Sequence, residues 1–233
     1  MVTGASSGMG RQVAIELAEA GAVVLALARR QERLNELQAC HARIVTAAVD
    51  VCEREMLDKV VLDFVAEYGK LSGSVHAAGL SGLTPLKLYD RSLAESIMRV
   101  SFWAGVDLLQ LVTRKNCSRE GASHILFSSI SSIYSAKGML AYNAAKAAVV
   151  SAVRTAAKEV SPRNRVNAVL PGWVKSEMTA GLSGVSNVEE ILSRELLGEG
   201  EPSDVTGLVK FLLSDGARWM TGVAIPVDGG FLA

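Results

Sequence analysis

Apolar residues fall along this chain in two alternating rhythms. Ala22-Val23-Val24-Leu25-Ala26-Leu27-Ala28 is an unbroken apolar run, as a strand covered on both faces requires. Shorter runs over Ile44–Val49, Ser74–His76, His124–Ser128, Val166–Leu170 and Val223–Val227 predict further strands, and Met1-Val2-Thr3 predicts a stub before the first glycine turn. That stub fits either a short central strand or a numbering that begins after a removed segment. Between the strands the spacing turns helical. In Gly10–Ala20 the residues Val13, Ala14, Leu17 and Ala18 share one face, and Gly21 stands where a helix end favours glycine. After Pro202, Ser203 is the expected N-cap, and Val205, Leu208, Val209 and Leu212 repeat at i, i+3, i+4 and i+7. Strand-like and helix-like segments alternate throughout, which predicts an α/β fold of parallel β-α units.

One stretch departs from the simple amphipathic pattern. A long helix over Ser92–Thr113 places Leu93, Ile97, Val100, Ala104, Leu108 and Leu111 on one face. Its other side carries Met98, Phe102 and Trp103, more apolar surface than a solvated helix presents, and this predicts a subunit contact. The Gly/Ser-rich part of Thr179–Asn187 reads as a mobile loop. No repeat, low-complexity tract or linker interrupts the 233 residues, so one domain over residues 1–233 is expected.

Composition narrows the function classes. Lys+Arg and Asp+Glu balance at 24 each, which gives no electrostatic reason to expect nucleic acid or an anionic membrane as partner. Cys40, Cys52 and Cys117 are odd in number, and with His41, His76 and His124 scattered singly no metal-ligand spacing arises. Reduced thiols, no apolar signal segment and no run of membrane-spanning length together predict a cytoplasmic protein without a metal site.

Three places carry chemistry. Thr3-Gly4-Ala5-Ser6-Ser7-Gly8-Met9-Gly10 lies between the strand stub and an amphipathic helix. Its glycines permit a tight turn close to a pyrophosphate, whose charge the N–H groups of the helix start would meet, although a glycine-rich loop can also be only a turn. Arg29 and Arg30 follow the second strand. Where a ribose 2′-hydroxyl would meet an acid, arginine matches the 2′-phosphate of NADP(H), unless the pair merely opens the next helix in solvent. Asp50-Val51 closes the third strand, and Asp50 suits either an adenine amino group or a helix N-cap. At the other end, Tyr142 and Lys146 sit at i, i+4 on a helical stretch, which puts phenol and ammonium on one face. Thirteen residues upstream, Ser129 follows the strand end at the carboxyl edge, where open α/β sheets place ligands.

Taken together, the Thr3–Gly10 loop, Asp50-Val51, His76-Ala77-Ala78-Gly79, Ser129, Tyr142-x-x-x-Lys146, Pro171-Gly172 with Val174 and Ser176, and Val227-Asp228-Gly229-Gly230 resemble the short-chain dehydrogenase/reductase family. The likeness covers essentially the whole length, with 3-oxoacyl carrier-protein reductases the nearest type by general look. It implies a seven-stranded parallel sheet of Rossmann type with helices on both faces. It further implies hydride transfer between a nicotinamide cofactor and a carbonyl or secondary alcohol, in a two-fold symmetric dimer or tetramer. By the resemblance Tyr142 is the acid or base, Ser129 bonds the substrate oxygen, and Lys146 holds the nicotinamide ribose and lowers the tyrosine pKa. Cofactor contacts fall to Gly4, Ser6, Ser7, Gly8, Met9, Gly10, Arg29, Arg30, Asp50, Val51, Ala77, Ala78, Gly79, Tyr142, Lys146, Pro171, Gly172, Val174 and Ser176. Glu177–Gly200 would form a lid. Two departures stand out. His76 replaces a common asparagine and reads as a strand-end packing residue, and Ser101 stands where many members carry an asparagine of the proton relay. The alternative is a catalytically silent dinucleotide-binding sensor or scaffold of the same fold.

Overall fold

The computed structural model describes residues 1–181 and 192–233. Seven strands, β1 (Val2–Thr3), β2 (Val24–Ala28), β3 (Ile44–Ala48), β4 (Leu71–His76), β5 (Ser118–Phe127), β6 (Arg165–Pro171) and β7 (Ala224–Val227), form one parallel sheet in the order β3-β2-β1-β4-β5-β6-β7. The strand order reverses between β1 and β4, the switch point at which the carboxyl ends of a doubly wound sheet open a crevice. Although only two residues long, β1 pairs with β2 through Val2 and Ala26 and with β4 through Val2 and Val75.

The apolar run of β2 is explained by two cores. Val24 and Ala26 face helices α1 (Gly8–Glu19) and α8 (Pro202–Leu213), meeting Val13, Ala14, Val205 and Val209. Leu25 and Leu27 face the opposite side, against Leu57, Val61 and Phe64 of α3 (Arg54–Tyr68) and Leu108 and Leu111 of α5 (Ala104–Val112). Farther along that side, Val149 and Val153 of α6 (Leu140–Val160) cover Leu126, Val166 and Leu170. Burying each such aliphatic side chain contributes about 1.5–3 kcal/mol. The second strand is followed by α2 (Gln31–Cys40).

The structure adds detail in four places that the sequence pattern does not show. The long helix is not uniform: α4 (Arg91–Met98) passes through a π turn over Arg99–Trp103 before α5 begins. Met98 and Phe102 are half-buried against Ala141 and Ala145 of α6, and Trp103 is 55 % exposed. The C-terminal Phe231 is likewise buried within its own chain, with Tyr134 at 5.1 Å between ring centres and the Arg194 guanidinium 4.6 Å from its ring. Finally, Glu201 rather than Ser203 caps α8. Its carboxylate and that of Asp204 form a reciprocal box across Pro202 at the first helical position.

Candidate active site

The first glycine loop is fixed by close approach. A Cβ on Gly4 would lie 2.6 Å from the Ala78 nitrogen, and one on Gly10 would lie 2.4 Å from the Gly4 carbonyl oxygen. Both distances exclude any side chain, so the backbone itself forms the wall, with the start of α1 beside it. At Gly8 the backbone takes φ +52°, a conformation that favours glycine. Thr3 ties this turn to β4. Its hydroxyl lies 2.9 Å from His76 Nδ1 and accepts from the Ala78 N–H at 3.4 Å.

A cavity of ≈ 840 Å³ opens here. The loop residues Gly4, Ser6, Ser7, Gly8, Met9 and Gly10 line it with Arg29 and Arg30 after β2, Asp50 and Val51 after β3, Ala77, Ala78 and Gly79 after β4, and Ser176. These sequence-expected residues converge from separate strand ends, in a space of the size that cofactor sites occupy. Its donors and its backbone-only wall fit a dinucleotide. Asp50 resolves as neither cap nor free acid: its Oδ1 accepts from Cys52 N–H at 2.9 Å, and Glu53 precedes α3 as its N-cap. Arg29 forms no ion pair among the described residues, whereas Arg30 is engaged by Glu177 at 2.7 Å. Pro171, Gly172 and Val174 lead up to Ser176 without lining the cavity themselves. They form the end of β6 and its continuation, and Val174 is buried in the core.

Tyr142, Ser129 and Lys146 stand one layer beyond Gly79. A Cβ on Gly79 would lie 3.5 Å from Lys146 Nζ, which places the ammonium in contact range of the cavity-lining Gly79. Lys146 donates to the Phe127 carbonyl at 2.9 Å, and Ser128 Oγ donates to the Lys146 carbonyl at 2.7 Å, which locks α6 to the end of β5. The ammonium lies 5.6 Å from the Tyr142 ring centre. Ser129 Oγ accepts from Ser131 N–H at 3.1 Å, leaving its own proton to bond the Tyr142 phenol oxygen.

Burial governs the titration of this cluster. It pushes the Tyr142 phenol upward, and only the Ser129 hydrogen bond works against that. The lowering expected from Lys146 is not among the influences on the phenol in this arrangement. The same burial brings the Lys146 ammonium down to about 8. The Ser101 hydroxyl accepts from Leu80 N–H and donates to the Leu80 carbonyl, each at 3.0 Å. Both bonds tie the side chain to the segment after Gly79, and the relay role expected of the Ser101 backbone carbonyl does not depend on them.

The lid expectation divides. Glu177–Ala180 form the short helix α7, and Ser176, Glu177, Met178 and Gly181 line the cavity. Residues 182–191, which include most of the loop expected over Thr179–Asn187, lie outside the described residues. The stretch 195–200 instead forms a strut. Glu195 accepts from Trp173 N–H at 2.5 Å, and Lys175 N–H donates to the Gly200 carbonyl at 2.9 Å. Glu195 was not foreseen, and nothing in its sequence context marks it. Glu177 was legible only as an acid near the lid's start.

A glycine turn, a switch-point cavity and a Tyr/Lys pair at the next strand end define a Rossmann-type dinucleotide oxidoreductase. A family model described as enoyl-(acyl carrier protein) reductase matches residues 4–232. The 3-oxoacyl-[acyl-carrier-protein] reductase of Thermotoga maritima is 31% identical over 100% of this chain and 96% of its own length. The protein of that name in Staphylococcus epidermidis is 29% identical over 99% of this chain and 97% of its own. Among solved structures, a Brucella melitensis short-chain glucose/ribitol dehydrogenase superposes with TM-score 0.92 at 26% identity, covering 98% of this chain and 94% of that one. A short-chain dehydrogenase/reductase from Mycobacterium ulcerans gives 0.91 at 29%, covering 99% and 88%. The chain belongs to the short-chain dehydrogenase/reductase family, and it is an enzyme of that class.

Proposed function

We propose that the protein is an NADP(H)-dependent cytoplasmic reductase or dehydrogenase, a single domain over residues 1–233 that interconverts a carbonyl and a secondary alcohol. The observation that carries this reading is the Ser129–Tyr142–Lys146 cluster set directly behind Gly79 of the cavity. The glycine loop and Asp50, Val51, Ala77, Ala78 and Gly79 would hold the adenosine and pyrophosphate, with Arg29 and Arg30 toward the 2′-phosphate. Lys146, Tyr142 and the Pro171–Ser176 segment would hold the nicotinamide half. When bound, the cofactor supplies or accepts the hydride at the substrate carbon.

In the reductive direction the Tyr142 O–H donates its proton to the carbonyl oxygen as negative charge grows there. The product is the alcohol, and a phenolate remains on the enzyme. Ser129, whose O–H bonds the Tyr142 phenol in the free protein, would turn it to the substrate oxygen. Lys146, held charged below about pH 8, stabilises the phenolate until solvent returns the proton. In oxidation each proton transfer runs backward. The relatives' names make 3-oxoacyl thioesters the first substrates to assay.

Tyr142→Phe tests the assignment, because it removes the proton donor and leaves the ring. Turnover should fall by roughly 10²–10⁴-fold with NADPH affinity nearly unchanged. Near-wild-type turnover would overturn the mechanism.

A further inference from the structure

An ion pair at the mouth of the cavity is left unused by the proposed chemistry. Arg30 Nη1 lies 2.7 Å from Glu177 Oε2, and Arg30 Nη2 donates to Ser6 Oγ and Ser7 Oγ, each at 3.0 Å. One turn along α2, Arg33 approaches the other carboxylate oxygen of Glu177 at 3.8 Å while also pairing with Glu36. Glu177 opens α7, whose start is fixed by a box in which Ser176 and Thr179 cap each other. The carboxylate thus reaches from the 176–181 segment across to the loop after β2, 147 residues away in sequence.

The chemistry of this cluster exceeds what a carboxylate uses. Two guanidiniums and two serine hydroxyls converge; Glu36 shares Arg33, and at Arg30 and the serines Glu177 supplies a single negative charge. A phosphate monoester carries nearly two charges and three acceptor oxygens, so it can engage Arg30 and the serine hydroxyls together. We propose that Glu177 is a built-in competitor for the nucleotide 2′-phosphate. In the free protein it occupies Arg30, and a 2′-phosphorylated nucleotide displaces it and frees the 176–181 segment. Glu177 is thereby a specificity-determining residue, since it penalises only ligands that must take Arg30 from it. This inference rests on the NADP(H) reading of Arg29 and Arg30.

The pair is about half exposed on both sides, with side-chain exposures of 45% and 51%, so its effect is modest. Removing the competing charge should strengthen phosphate binding about two- to fivefold. The experiment is calorimetric titration of 2′,5′-ADP and 5′-AMP into the wild type and Glu177→Gln at low and high salt. The expected result is tighter 2′,5′-ADP binding in the variant, unchanged 5′-AMP binding, and a difference that shrinks with salt. A wild-type preference for 2′,5′-ADP that the variant leaves unaltered or weakens overturns the competitor alone. Equal tightening of both probes also overturns it, by showing a general opening of the cavity. Equal affinity of both proteins for both probes overturns the NADP(H) reading and this inference together.

Discussion

At the scale of single residues, burial decides more of this site's electrostatics than pairing does. His76 shows this most directly. It is held neutral in the fold, its pKa brought down to about 4 by burial first and by the Lys146 charge second. Its Nδ1 meets Thr3, while its buried Nε2 faces the Val100 carbonyl without a well-formed hydrogen bond. The unfolded chain binds the proton near the ordinary 6.5, so between about 4 and 6.5 it binds more protons than the native state. Stability is therefore complete above pH 6.5 and is lost as pH falls toward 4, by on the order of 3 kcal/mol from this residue. Urea unfolding at pH 7 and pH 4.5 should show the drop, and His76→Asn should reduce it, the remainder coming from His124, which burial brings down to about 3. Lys146 gives the opposite limit. With its pKa at about 8, kcat/KM for carbonyl reduction should decline as pH rises above that value, because the neutral amine no longer steadies a phenolate. A rate profile flat to pH 9.5 would count against the role assigned to it.

At the scale of elements, the sequence was most legible where periodicity and function coincide. All six apolar runs and the stub became strands, because a parallel strand buried on both faces leaves a continuous signature. Strand β5 was read short. Its first residues, Ser118-Arg119-Glu120-Gly121, are polar and mostly exposed, yet they belong to the strand. Helix α3 was not singled out, although Leu57, Val61 and Phe64 repeat at i, i+4 and i+7, because charged residues surround them. The glycine turn, by contrast, was readable as chemistry, and its geometry yields a sharp expectation. In Gly10→Ala the new methyl meets the Gly4 carbonyl oxygen at 2.4 Å, and the obstacle is backbone that cannot rotate aside. Overpacking of this kind costs typically 1–3 kcal/mol. NADPH affinity should fall at least tenfold in that variant while the far-ultraviolet dichroism stays native. What could not be read were the Arg30–Glu177 and Trp173–Glu195 contacts, since each joins segments whose meeting depends on the finished sheet.

At the scale of the whole molecule, folding leaves several large aromatic side chains in water. Trp103 is 55% exposed, Phe211 43% and Trp219 96%, more aromatic area than a solitary domain ordinarily leaves in water. We propose that the enzyme assembles as a homodimer or homotetramer, as two-fold symmetric burial of such patches would give. Along the stretch singled out in the sequence, Met98 and Phe102 are partly covered by α6 and Trp103 is the most exposed. Light scattering at micromolar concentration should give a multiple of the 24.6 kDa chain mass, and Trp103→Glu should lower it if α5 forms the contact. A monomeric wild type would refute the assembly. No helix among the described residues is long and apolar enough to cross a membrane.

The π turn over Arg99–Trp103 sets a rule of length rather than of composition. Each residue advances a helix by about 100°, so the extra one in this turn dials α5 round relative to α4 like an offset between two gear wheels. Only with that offset do Ala94 and Ile97 mesh with α6 while Leu108 and Leu111 mesh with the sheet. Exchanging one side chain for another here leaves the gearing intact, whereas losing or gaining a single residue turns every later tooth out of its slot. Over long descent this stretch should thus drift in spelling and hold its count, while the surface loops vary in both.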